Sequence, residues 1–416
     1  MAGWATEGAT LSSVTRSFMI AALALALAAC TTVLPRSPVA ENQIHDAAPY
    51  GIAPGPNLSL RTFGDELVAA DADTLTERRA AVMRKVHADA IAAGGPITDI
   101  SLLLSGGGPD GAFGAGVLSG WSARGDRPKF DNVTGISTGA IIAIFAFLGP
   151  EYDDTLREIY TTYRSDQLVT RTIFAGLTGG SALTDTRGYR ALIEKYVDDA
   201  VVAKIAAEFR KGRTLLIGTT NIDAARPVIW NVGGIAATGH PKARTLIHDV
   251  IQASSAIPAA FPPVIIPVVT ADGGRYDEMH VDGGATQQVM LFSPAFPMRR
   301  IDDAVGVRFD RTVYAVINNK IRKPYTPVRP RLVSIAGAAA SSLLGGSGTG
   351  DLYRIFAIAQ RDGMDLKVLS IPPTFDAVPT EAFDPVYMKA LFDLGYRYGL
   401  AGDRWSDGPP DFARYP

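Results

Sequence analysis

Gly135-Ile136-Ser137-Thr138-Gly139 lies between a short extended segment, Phe130 to Thr134, and an apolar run from Ala140 to Leu148. A strand, a sharp turn and a buried helix are the context in which G-x-S-x-G holds a serine at the apex of a strained turn. The flanking glycines are a steric requirement, because a Cβ on either would collide with the neighbouring strand or helix. Ser137 then stands at a helix N-terminus, where partial positive charge favours negative charge developing on oxygen. The same residues also read as a helix cap in which Ser137 does no chemistry. Two further stretches bear on the choice.

Upstream, Ile97 to Leu104 is too apolar for an edge strand. It runs into Ser105-Gly106-Gly107-Gly108-Pro109-Asp110-Gly111 and then a helix of small residues from Ala112 towards Trp121. Glycines between a strand and a helix expose backbone N–H groups to an anion. A nucleotide phosphate is excluded, since no Gly-Lys-Ser/Thr follows. Gly106, Gly108 and Gly111 satisfy G-x-G-x-x-G, and Asp131 lies about 20 residues on, as a dinucleotide site would have it. But Asp131 begins the second extended segment, whereas a ribose-binding acid belongs at its end. The glycines are therefore assigned to an oxyanion hole for Ser137. Downstream, Tyr276 to Val281 leads into Asp282-Gly283-Gly284, where two glycines let the chain curl and bring a carboxylate against a neighbouring turn. The plain alternative is a hairpin or an Asx turn.

The remaining segments set the fold class. Thr74 with Glu77 forms a capping box, with Leu75, Val82, Val86 and Ala90 on one apolar helical face, stopped by Gly94-Gly95-Pro96. Glu151 to Tyr163, Arg187 to Val202 and Arg244 to Ser254 read as helices, and Thr214 to Thr220 as a buried strand with Val228 to Trp230 paired nearby. Ala259 to Val269 is apolar but broken by prolines, either a buried connection or a wall for an acyl chain. Thr312 to Ile317 and Leu366 to Ile371 are strands, Leu332 to Leu344 and Tyr387 to Leu400 helices, and Gly345 to Gly350 a flexible loop. Apolar strands alternating with helices predict an α/β three-layer sandwich with a central, mainly parallel sheet.

At 416 residues and 47% hydrophobic content the chain can bury a large core. A net charge of −2 gives no case for nucleic acid. One cysteine excludes an intrachain disulfide framework and a Cys-rich zinc site, and no metal or cofactor is expected. That cysteine follows Arg16 and the apolar run Phe18 to Ala29, of the length of a signal-peptide h-region. Leu27-Ala28-Ala29-Cys30 resembles the lipobox of bacterial lipoproteins, which implies cleavage before Cys30 and its lipidation. The expected organisation is a signal peptide at 1–29, a tether at 30–60, a helical region at 61–96, a catalytic domain at 97–300 and a C-terminal part, 301–416, completing the same globule. Thr31 after the cysteine implies, by resemblance to sorting signals, the outer membrane, facing the periplasm.

The glycine loop, Gly135-x-Ser137-x-Gly139 and Asp282-Gly283-Gly284 stand in the order found in the patatin-like phospholipase family, which the chain resembles from about Ile100 to Met290. Ala253-Ser254-Ser255-Ala256-Ile257-Pro258 with Phe261-Pro262 resembles that family's segment ahead of its aspartate. The resemblance implies a patatin-like fold, a lipid or acyl-ester substrate, Ser137 as nucleophile and Asp282 as general base without histidine. It departs from the family at Pro109-Asp110, where many members carry a basic residue. Turns at the same end of neighbouring parallel strands are expected to bring Ser137 and Asp282 together. A rival is an α/β-hydrolase triad using His240, His248 or His280; another is a non-catalytic lipid-binding envelope lipoprotein. The sequence points to no protein partner.

Overall fold

The computed structural model of the chain describes residues 36–409 apart from 54–58, 67–68, 172–181, 183, 293–295, 323–324 and 326. The signal segment, Cys30 and residues 31–35 of the expected tether lie outside the described residues. A ten-stranded mixed sheet is built, in chain order, from β1 (Ala48–Pro49), β2 (Arg61–Phe63), β3 (Ile97–Leu104), β4 (Asn132–Ile136), β5 (Thr214–Asn221), β6 (Arg226–Asn231), β7 (Val264–Val269), β8 (Arg275–Asp282), β9 (Phe309–Ile317) and β10 (Asp365–Ser370). Its centre is parallel, in the order β5, β4, β3, β9, β10.

The period of two in these strands splits the core into two layers. Leu102 and Leu104 join one hydrophobic cluster and Ile97 and Leu103 the other. The helices used below are α1 (Ala69–Val86), α2 (Gly111–Arg124), α3 (Thr138–Leu148), α4 (Ala243–Ser254), α5 (Leu332–Asp362) and α6 (Pro385–Ala401). Helices α2, α3, α4 and α6 supply the first cluster; α1 and the second half of α5 supply the other. The small residues of α2 have a packing cause. A methyl on Gly116 or Gly120 would come within 2.1 or 2.0 Å of the carbonyl oxygens of Phe392 and Tyr396 in α6.

The margin of the sheet is antiparallel, and its registers locate the site. Strand β6 pairs with Leu216 to Asn221 of β5. Strand β4 pairs with Thr214 to Gly218 and β8 with Thr219 to Asn221, so both must use the edge opposite β6. They meet end to end there. Strand β4 runs up to Ile136 opposite Gly218, and β8 runs down to Asp282 opposite Thr219. The expectation of two parallel neighbours is thereby corrected: β8 arrives antiparallel, as the second arm of a hairpin with β7.

Other expectations are also revised. Thr74 lies inside α1 rather than capping it, and the helix buries Ala72, Thr76, Ala80 and Met83. Leu75, Val82 and Val86 stay partly exposed because they line a cavity beneath the helix rather than packing on the sheet, while Arg79 reaches Gly212 O, Thr214 Oγ1 and Asn132 Oδ1. Arg187 to Val202 divides into helices at Arg187–Tyr196 and Asp199–Arg210, since Asp198 caps the second by accepting the Val201 N–H. Val264 to Val269 of the proline-broken stretch is strand β7. Gly345 to Gly350 belongs to the continuous 31-residue helix α5, anchored beyond them by buried Leu352, Ile355 and Ala359. Within the expected tether, Ala47 and Ile52 are buried, Ala48-Pro49 pairs with β7, and Arg36 forms an ion pair with Asp223.

Candidate active site

Ser137 follows β4 directly and begins α3 with φ 55° and ψ −125°, a conformation that L-residues avoid. The turn is held by exclusion on both sides. A Cβ on Gly135 would sit 2.3 Å from Gly139 O, and one on Gly139 would sit 2.3 Å from Leu104 O. The Ser137 N–H donates to Ser254 Oγ at 2.8 Å, and that hydroxyl donates to Gly218 O at 2.7 Å. Ser254 therefore ties the strained backbone to β5.

The Ser137 hydroxyl donates to Asp282 Oδ2 at 2.7 Å. The other carboxylate oxygen accepts the Gly284 N–H at 2.7 Å, and the Asp282 N–H donates to Ala256 O. Gly283 must lack a side chain, since a Cβ would lie 2.5 Å from Gly218 O. Both Ser137 and Asp282 are buried, at 6% exposure each. Burial raises the Asp282 pKa to about 6, against the opposing pull of the hydrogen bonds from Ser137 and Gly284. A carboxylate so placed is ionised at neutral pH and a far better proton acceptor than an exposed aspartate.

The glycine loop lies against this pair, with a Cβ on Gly106 falling 3.3 Å from Ser137 Cβ. Its four glycines do different things. The Gly106 N–H donates to Gln288 O at 3.0 Å, and the Gly111 N–H is taken by the carbonyls of Gly108 and Pro109. Neither amide is therefore available to an oxyanion, contrary to the sequence expectation. Gly111 serves packing, since a Cβ there would lie 2.2 Å from Thr138 Oγ1. Among the described residues, the N–H groups of Gly107 and Gly108 meet no acceptor. Gly108 has φ 56° and open space around its Cα.

Residues that the sequence reading did not single out hold the loop. Asn318 donates its backbone N–H to Ser105 Oγ and its amide to Ser105 O, while accepting from Gly114 N–H. Asn319 donates to Gly106 O, and the Gln288 side chain to Gly284 O. The available signal was two asparagines at the carboxyl end of an apolar strand. Asp110 accepts the Tyr387 hydroxyl at 2.7 Å.

The three histidines are engaged elsewhere. His280 is fully buried, with Nε2 at 3.1 Å from Glu278 Oε2 and Nδ1 at 2.9 Å from Thr219 Oγ1. Burial lowers its pKa, so the neutral ring donates through Nε2 and accepts from Thr219 at Nδ1. His248 Nε2 meets Val197 O, and His240 Nδ1 accepts the Lys242 N–H. A cavity of about 1380 Å³ lies beneath α1, lined by Leu103, Leu216, Val313 and Val82 among others, and includes none of Ser137, Asp282 and the loop glycines.

Residues 102–295, a little under half of the chain, match the family described as Patatin-like phospholipase. The chain is also similar to VipD from Legionella pneumophila, whose crystal structure aligns with 13% identity and a TM-score of 0.32 over 75% of this chain and 68% of that one. No curated protein matches the chain.

Proposed function

We propose, from the match of residues 102–295 to the patatin-like phospholipase family and the site geometry, that the chain is a serine hydrolase of lipid acyl esters, working through Ser137 and Asp282. The observation that carries this is the 2.7 Å hydrogen bond from the Ser137 hydroxyl to the buried Asp282 carboxylate. Asp282 accepts the hydroxyl proton as Ser137 Oγ bonds to the acyl carbon. The carbonyl oxygen becomes an oxyanion, with the N–H groups of Gly107 and Gly108 as its donors. As the tetrahedral intermediate collapses, the proton passes from Asp282 to the departing alkoxide. Water then attacks the acyl-serine with Asp282 again as base, releasing the fatty acid and restoring the serine hydroxyl.

The hydrogen bonds of His240, His248 and His280 favour this dyad over a histidine triad. The strained backbone at Ser137 and the raised pKa of Asp282 favour it over a non-catalytic lipid-binding role, which requires neither. The lipobox motif supports a bacterial envelope protein anchored through lipidated Cys30, at the outer membrane facing the periplasm. Ester hydrolysis by purified chain, over a panel of acyl lengths, tests the activity; Ser137→Ala and Asp282→Asn should each abolish it. Mass spectrometry of membrane-extracted protein tests the anchor, with a mature chain beginning at acylated Cys30 as the expected result.

A further inference from the structure

Helix α5 has two unlike halves. From Asp351 onward it is rooted in the core, with Asp351 and Leu352 each 1% exposed. Before that, Leu332 to Gly350 contains no charged residue. A stripe on this first half is nevertheless exposed: Leu332, Ile335, Ala339, Leu343 and Gly346. At about 100° per residue these five fall within about 80° of one another, one continuous apolar face. Leu332 is 84% and Leu343 75% exposed. The helix is not long and apolar enough to cross a membrane.

The sequence leading into this helix carries charge of one sign. Between Thr312 and Gly350 the chain carries Lys320, Arg322, Lys323, Arg329 and Arg331 and no acidic residue. Arg329 and Arg331 are exposed immediately before the helix, and Tyr325 is 93% exposed. An apolar stripe with cations and an aromatic ring at its margin suits the headgroup region of an anionic bilayer. On its side opposite this stripe the helix packs against the candidate site. A Cβ on Gly348 would lie 3.3 Å from Gln288 Cβ, and Asp351 Oδ2 accepts the Gln288 N–H at 2.6 Å. Gln288 O in turn holds the Gly106 amide of the glycine loop.

We propose that the first half of α5, with the basic segment before it, is an interfacial docking face that lays the chain on an anionic lipid surface beside Ser137. It deepens the acyl-hydrolase reading by naming a lipid packed in a bilayer as the substrate's setting, and rests on that reading for its purpose. Binding itself is testable without turnover. The full chain carrying Ser137→Ala and Cys30→Ser would receive an environment-sensitive fluorophore at Leu343→Cys or, as control, at Val386→Cys on α6, whose native residue is 80% exposed.

On vesicles of phosphatidylglycerol and phosphatidylcholine, the label at 343 should shift to the blue and be quenched by bilayer-embedded nitroxide lipid. The label at 386 should do neither. Partitioning should fall at least about tenfold on phosphatidylcholine alone, and again with Arg329→Glu and Arg331→Glu together. No shift at 343, an equal shift at 386, or indifference to both charge tests would overturn the proposal. A shift that grows with protein concentration in the absence of vesicles would overturn it too, assigning the face to a second copy. Hydrolysis of a soluble short-chain ester by the wild type tests the acyl-hydrolase reading with no bilayer present, so the two can fail separately.

Discussion

Ile136 and Asp282 end two strands that meet head to head on one edge of β5, opposite Gly218 and Thr219. The residue after Ile136 is thereby delivered to the carboxylate of Asp282, with Ser137 Oγ 2.7 Å from Oδ2. Neighbouring strands in a sheet lie about 4.8 Å apart, so ends meeting on one edge approach more closely than ends of adjacent strands could. Ser254, on the helix leading to this junction, fastens Ser137 N–H to Gly218 O.

Activity should require ionised Asp282. With its pKa raised by burial to about 6, kcat/KM for a soluble ester should climb with pH through a limb near that value. At pH 5 it should be about tenfold below its level at pH 8. A pH profile that is flat from 5 to 8 would contradict this assignment.

The same shift has a consequence for stability. A carboxyl group raised from 3.8 to about 6 in the native state binds more protons folded than unfolded between those values. Its contribution to stability is present below about pH 4 and lost as pH rises through about 6. Asp282→Asn should therefore remove activity yet raise unfolding free energy at pH 8 by up to about 3 kcal/mol, a gain that disappears near pH 4. Urea unfolding at the two pH values measures it.

The elbow at Ser137 and the parallel centre of the sheet were legible in the sequence because they are local: a five-residue turn and runs of apolar residues. The direction of β8 was not, since pairing partners are set by tertiary register. Asp272-Gly273-Gly274, between β7 and β8, is a hairpin signal that could have revealed it. The division of labour among Gly106, Gly107, Gly108 and Gly111 was also hidden, because the group that occupies the Gly106 amide, Gln288 O, is remote in sequence. Small residues misled in opposite directions. Ala72 and Ala80 form the buried face of α1, and the glycines from 345 to 350 sit inside a helix that its buried second half sustains.

Two glycine substitutions should separate sterics from chemistry. Gly139→Ala places a methyl 2.3 Å from a backbone oxygen of β3 and should cost about 3 kcal/mol or more, or prevent folding. Gly108→Ala meets open space and only the penalty of φ 56°, about 1–2 kcal/mol. Thermal melts of both variants check the contrast.

Ser254→Ala should leave the Ser137 amide without its acceptor, at a cost of about 1–3 kcal/mol. Because that amide fixes the nucleophile's turn, the loss of activity should fall mainly on kcat rather than KM. An unchanged kcat with a reduced melting temperature would make Ser254 structural only.

Histidine replacements offer a further check. His240→Ala and His248→Ala should leave ester hydrolysis within about threefold of wild type. His280→Ala should mainly lower stability, since the imidazole lies buried between Glu278 and Thr219.

The most direct test of the dyad is the rate of covalent labelling by a fluorophosphonate, with the modified residue located by mass spectrometry. The account predicts a single adduct on Ser137 in the wild type, none in Ser137→Ala, and labelling slowed by about 10²-fold or more in Asp282→Asn. An adduct on a different serine, or an Asp282→Asn chain labelled as fast as the wild type, would contradict it.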